Sequence, residues 1–353
     1  MFSGTYCKNT PMTQISDTDS LKPFILRHSE IVPCKTAFID ARTPGSDKKE
    51  NYCLIGAGVA ENPEQVVHIN IPHGFDVGAA RQPKGCKNSQ HSHDTEEVFI
   101  VHKGQWKFTW GEDGRDGETV LTSGDTISIP TEMFRGFENV GDDKGFLFSV
   151  LGHLPNGTPG SVTWAPYVFE QAKQFGLVLL QNGRLIDTHS GQSIPDDQPL
   201  YVPVSGKELD AFKTLTLEDM SKNISRHNEL VSQDTGGLTN GNGVKEFPVI
   251  GDKTDNELMP AGKINRPHNF QLRRLMLDPG ATVAKHRRQE PEVLFVHHGN
   301  LTVTTDKGSF TLGIGDLFTC PIGLSRCFTN EGSETADVII VRGGDYPRAA
   351  IFG

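Results

Sequence analysis

Gly85-Cys86-Lys87-Asn88-Ser89-Gln90-His91-Ser92-His93-Asp94-Thr95-Glu96-Glu97-Val98-Phe99-Ile100-Val101-His102-Lys103-Gly104 is the stretch that decides the fold, because the chain writes it twice. Reduced to its recurring positions it is Gly85-x5-His91-x-His93-x3-Glu97-x6-Gly104. From Gly280 the same spacing returns as Gly280-x5-His286-x-Arg288-x3-Glu292-x6-Gly299. One position differs, the second histidine having become Arg288. The first copy can hold a transition metal. The second, with a guanidinium that keeps its proton in place of an imidazole, cannot do so in the same way.

The repeat extends both ways. Upstream, Ile69-Asn70-Ile71-Pro72-His73-Gly74-Phe75 returns as Ile264-Asn265-Arg266-Pro267-His268-Asn269-Phe270, 195 residues on (69 to 264). Downstream, Gly124-x5-Pro130-x4-Arg135-x3-Asn139 returns as Gly315-x5-Pro321-x4-Arg326-x3-Asn330, 191 residues on (124 to 315). The second copy is thus four residues shorter between its phrases. The first copy places them in the polar, glycine-rich run Gly111–Gly117, a hairpin tip where insertion costs little.

These paired phrases resemble the two motifs of the cupin superfamily, and their repetition is similar to that of a bicupin. The resemblance covers most of residues 69–151 and 264–342. It implies an all-β chain of two jelly-roll-type β-barrels in tandem. It implies much less about activity, because one such barrel carries dioxygenases, isomerases, decarboxylases, sugar-binding modules and storage proteins.

At 353 residues the chain has room for two separate cores. A formal net charge of −10 argues against nucleic acid as a partner, since phosphate binding calls for a basic face. No run of eighteen apolar residues and no basic-then-apolar leader is present, which points to a cytoplasmic protein that neither enters nor crosses a membrane. The six cysteines, Cys7, Cys34, Cys53, Cys86, Cys320 and Cys327, form no CxxC pair and read as free thiols.

Four segments follow from this pass. Residues 1–45 read as a polar arm, within which Met12 could be the natural start. Residues 46–160 form the first barrel, with strands at Val98–Val101, Gln105–Trp110, Asp125–Ile129 and Phe146–Val150. Residues 161–245 join the barrels. There Pro166 opens a helix that Gly176 stops, Asn182-Gly183 turns a hairpin, and Thr216 with Asp219 caps a second short helix. A loop rich in Gly and Asn at 234–243 leads into the second barrel, 246–353. The arm and the habit of the resembled family point to a homodimer or larger.

Side chains alternate along a strand, so the odd-numbered His91, His93 and Glu97 are expected on one face, inside the barrel. Two imidazoles and one carboxylate form a facial triad, which suits non-haem Fe(II) best, with Mn, Ni, Co or Zn as alternatives. The other reading, barrel polar groups satisfied by one another, is weaker because three ligand types share one face. The resembled family's second motif brings a further histidine, and here that position is Arg135. Arg135 stands as the candidate catalytic residue, a fork for a substrate carboxylate. The alternative, an internal ion pair, draws support from its return as Arg326.

His73 and His268 recur as a pair and read as structural, whereas His102, His297 and His298 read as exposed. In the set His286, Arg288, Glu292 and Arg326, the two arginines and the glutamate read as mutually paired charges, with an anion pocket as the alternative. Cys320 and Cys327 read as buried fillers. Three functions remain open. The first is a metal-dependent dioxygenase acting on a small aromatic or carboxylated molecule. The second is a metal-assisted isomerase, lyase or hydrolase. The third is a non-enzymatic small-molecule-binding protein.

Overall fold

The structure is a computed structural model that describes residues 18–233 and 235–353; Cys7 and Met12 lie outside them. The chain forms two units, one of Val32–His227 and one of Asn228–Gly353 with the segment that ends at Ile31. Each unit is a jelly-roll barrel made of two facing antiparallel sheets.

In the first unit one sheet runs Val162–Trp164, Lys87–His93, Arg135–Asn139, Gln105–Trp110, Gly117–Thr122 in spatial order. The other sheet centres on Thr126–Ile129, Glu97–Lys103, Gly145–Gly152, Phe75–Gln82 and Glu50–Ile55. Alternation along these strands turns Phe99, Trp106, Phe108 and Phe137 into the barrel, where they are buried together. The Phe99 and Phe137 rings sit 5.0 Å apart. Fully burying an aromatic side chain of this kind is worth roughly 1.5–3 kcal/mol, so the core does not depend on the polar end of the barrel.

The hairpin tip falls at residues 111–116, between the paired strands Gln105–Trp110 and Gly117–Thr122. The joining segment folds as its punctuation implies, with a helix Pro166–Gln174, a hairpin Leu177–Leu179 with Leu185–Asp187, and a helix Leu217–Ser221 whose N-cap Thr216 accepts from the Asp219 N–H. Up to His227 it belongs to the first unit. The loop before the second barrel is anchored: Leu238 is a core residue and its N–H donates to Glu246.

The second unit repeats the design, with Leu317–Cys320, Glu292–His298, Ala336–Gly343, Phe270–Leu277 and Val244–Ile250 facing Leu301–Thr305, Arg326–Thr329 and Thr282–Arg287. Its last strand, Ile351–Phe352, pairs with His286 and Arg287.

A third repeated phrase becomes visible only here. Ile25-Leu26-Arg27-His28 and Ile224-Ser225-Arg226-His227 play one role in opposite units. Ile25 pairs with Phe318 of the second unit, and Ile224 pairs with Ile127 of the first. Arg27 and Arg226 bond Asp316 and Asp125 at 2.7 and 2.9 Å, and the N–H groups of His28 and His227 donate to the same two carboxylates. The phrase preceding the first barrel in sequence therefore closes the second, and the phrase preceding the second closes the first. Among the described residues no helix is long and apolar enough to cross a membrane.

Candidate metal centre

His91 and His93 lie two apart on the strand Lys87–His93 and share its inner face. Glu97 does not reach them by parity along one strand, as the odd numbering implied. Residues 94–96 turn the chain, and Glu97 opens the neighbouring strand Glu97–Lys103, in the other sheet. The three side chains nonetheless converge: one ligand atom from each lies within 4.8 Å of the others, and all three residues are buried. The His93 Nε2 to Glu97 Oε2 distance is 3.5 Å.

The main chain orients both imidazoles. Nδ1 of His91 lies 2.7 Å from the Ser89 carbonyl, and Nδ1 of His93 lies 2.9 Å from that of Ser161. A carbonyl accepts only, so each ring carries its proton on Nδ1 and presents a bare Nε2 lone pair, the form a metal takes. Burial, followed by the nearby Arg135 cation, pushes both histidines well below their ordinary pKa. Trp164 packs over His91 at 5.0 Å and is held from behind by its indole N–H, which donates to Glu61 at 2.7 Å.

Arg135 pairs in register with His91, and its guanidinium bonds the Glu97 carboxylate and the His91 carbonyl. It is 1% exposed, and it is not among the residues that line the adjoining cavity. That cavity is walled by His91, His93 and Glu97 together with Phe99, Phe137 and Trp164.

The second unit repeats the Arg–Glu pair, Arg326 bonding Glu292. Around it the interior is full of charge. Arg288 bonds Glu257 at 2.7 Å, Arg342 bonds Glu292 at 2.8 Å and Glu246 at 2.5 Å, and Arg273 meets Glu257 at 2.8 Å. The paired charges expected from sequence are present, joined by Arg273, Arg342, Glu246 and Glu257, which sequence reasoning missed. Strand register identifies the equivalents. Gly78 and Leu151 pair with Ser149 and Glu97 in the first unit, as Arg273 and Arg342 pair with Ile340 and Glu292 in the second. Asn51 and Glu246 likewise face Ala80 and Leu275. Cavity-lining Asn51, Gly78, His93 and Leu151 thus correspond to a glutamate and three arginines. A small or apolar wall leaves space in the first unit, and ion-paired side chains occupy the interior of the second. The arginines hold Glu246 at about 2 and Glu292 well below the usual carboxylate range, against the effect of burial.

Of the remaining candidates, His73 and His268 are buried, their Nδ1 atoms against the carbonyls of Ile71 and Arg266 and their rings against Phe75 and Phe270. His298 is exposed, but His102 and His297 are half-buried, His102 because its ring packs on Phe146. Cys320 and Cys327 are buried, and Cys34, Cys53, Cys86 and Cys320 are free thiols.

Comparison with known proteins follows the same lines. The sequence profile of the cupin domain matches residues 80–151 and 273–342. Over 122 residues, 33% of this chain, the sequence is 33% identical to the polyketide synthase CurC of Streptomyces cyaneus, covering 75% of that protein. Oxalate decarboxylase from Bacillus subtilis matches in structure with a TM-score of 0.54 at 13% identity, over 93% of this chain and 78% of that one. That enzyme has Mn(II) centres. Vicilin from Capsicum annuum matches with a TM-score of 0.57 at 13% identity, over 94% and 88%. Identities this low speak to the fold.

Proposed function

The chain belongs to the cupin superfamily, and on that premise we propose that its first barrel is a metal-dependent oxygenase acting on a small organic molecule, with Fe(II) as the metal. One observation carries the proposal: two neutral imidazoles and a carboxylate converge on the wall of a cavity that Phe99, Phe137, Leu151 and Trp164 also line. His91, His93 and Glu97 would hold the ion. A bound iron would supply O₂ chemistry there, since three protein donors would leave it open positions.

The chain's own residues do the rest. The Ser89 and Ser161 carbonyls fix the tautomer and angle of the two rings. Arg135 acts as a positioning residue, tying down one oxygen of Glu97, rather than as the fork for a substrate carboxylate. Phe99, Phe137, Leu151 and Trp164 give the donors an apolar wall.

The test is elemental analysis of protein purified without chelators, followed by oxygen-electrode assays against hydroxylated aromatics. Stoichiometric iron with substrate-dependent O₂ uptake is the expected result. Stoichiometric zinc or nickel without uptake would replace oxygenation by Lewis-acid chemistry. Absence of any metal would remove the enzyme reading altogether.

A further inference from the structure

The cavity wall contains a second carboxylate that the metal site does not use. Asp76 lies on the strand Phe75–Gln82, in register with Leu151, which is in turn in register with Glu97. Residues opposite one another across a sheet point to the same side, so Asp76 faces inward and lines the same cavity. Two strand spacings put it roughly 10 Å from Glu97. It is held in place there. Nε2 of His153 is 3.2 Å from its Oδ1, and the Gly58 N–H donates to its Oδ2 at 3.0 Å. The loop can close on it because residue 56 is glycine: φ there is +73°, and a Cβ would come within 1.8 Å of Oδ1.

The rest of the wall is also informative. Among the described residues no lysine or arginine lines the cavity, whereas Phe38, Tyr52, Phe99, Phe137 and Trp164 do. An anionic group at the far end would meet the Asp76 carboxylate, toward which the neighbouring His153 is already turned, a like-charge contact. A hydroxyl there would donate to a carboxylate already oriented to accept, a charge-assisted bond.

We propose that Asp76 is the specificity-determining anchor of the cavity, and that the ligand is a flat, hydroxylated aromatic whose end remote from the metal is an uncharged hydroxyl donor. This rests on the metal-centre reading for the near end of the ligand only. The Asp76 end stands on the wall composition.

Two naphthalene catechols serve as probes, identical at the catechol edge, one with a hydroxyl and the other with a carboxylate on the far ring. Binding is read by quenching of tryptophan fluorescence in metal-loaded and metal-stripped protein. The hydroxyl probe is expected to bind at least tenfold more tightly, and Asp76→Asn should shrink that ratio severalfold, since the amide keeps the shape and removes the charge. Equal binding of the two probes, or preference for the carboxylate, would overturn the proposal. So would an unchanged ratio in Asp76→Asn. His153→Gln separates folding from recognition: it loosens Asp76 without removing its charge, and should weaken the hydroxyl probe while leaving the carboxylate probe disfavoured. A preference that persists in metal-free protein supports the assignment of Asp76 even if no metal-dependent activity is found, so the two readings fail separately.

Discussion

Glu61 should make the first barrel lose stability as pH rises, and Glu61→Gln should abolish that loss. Its carboxyl is buried between the Trp164 indole N–H and the Ile39 N–H, both donating at 2.7 Å. Burial outweighs these bonds and pushes the carboxyl up to about 8 from 4.5, with Asp40 adding to the rise and Lys49 opposing it. The sign follows from proton counting. Between about 4.5 and 8 the folded form keeps a proton that the unfolded chain has released, so stability falls with pH across that window. The benefit is complete below the unfolded value and gone above the folded one. The rise from 4.5 to about 8, at about 1.4 kcal/mol for each step of one in pH, sets a ceiling of roughly 5 kcal/mol. The assay is specific to this unit because all three tryptophans, Trp106, Trp110 and Trp164, lie within it. Urea midpoints followed by tryptophan fluorescence, on chelator-stripped protein from pH 5 to 8, give the profile. Glutamine cannot accept from both N–H groups, so the variant should be weaker at pH 5 and close the gap by pH 8. The depressed His91 and His93 act in the opposite sense below about 6.5, but both proteins share them and they cancel in the difference. Parallel profiles would refute a protonated Glu61.

Four further outcomes are expected. His91→Ala and His93→Ala should each abolish metal content by elemental analysis while leaving the far-UV circular dichroism unchanged, because neither imidazole belongs to the apolar core cluster. Arg135→Met removes the cation from a buried carboxylate and should cost the metal-free first barrel about 3–5 kcal/mol, with added metal restoring more stability than it gives the wild type; equal metal increments would detach Glu97 from the ion. Arg27→Ala should raise hydrogen exchange in Leu317–Cys320 of the second unit and leave the tryptophan-monitored transition of the first unchanged. Light scattering should report a homodimer or larger.

What the sequence determined by itself was whatever depends on local spacing. Gly85, His91, Glu97 and Gly104 recur at strand-and-turn intervals, so the duplication and the inward histidine pair were legible from spacing and period 2, and the barrel class from the family those motifs resemble. Glu97 was found on the right face for a reason that does not hold, since a turn separates it from the histidines and the neighbouring strand delivers it. Tertiary structure decided the rest because the relevant neighbours are far apart in the chain. The short phrases at Ile25 and Ile224 carry no signal until each is seen closing a sheet whose strands lie elsewhere in sequence. Gly78 and Leu151 look unremarkable as letters, and only strand register sets them against Arg273 and Arg342. That comparison explains why one barrel holds a cavity and the other an ion-paired interior. Arg135 was ambiguous for the same reason. A guanidinium serves equally as substrate fork or internal partner, and only the fold brings the Glu97 carboxylate within its reach.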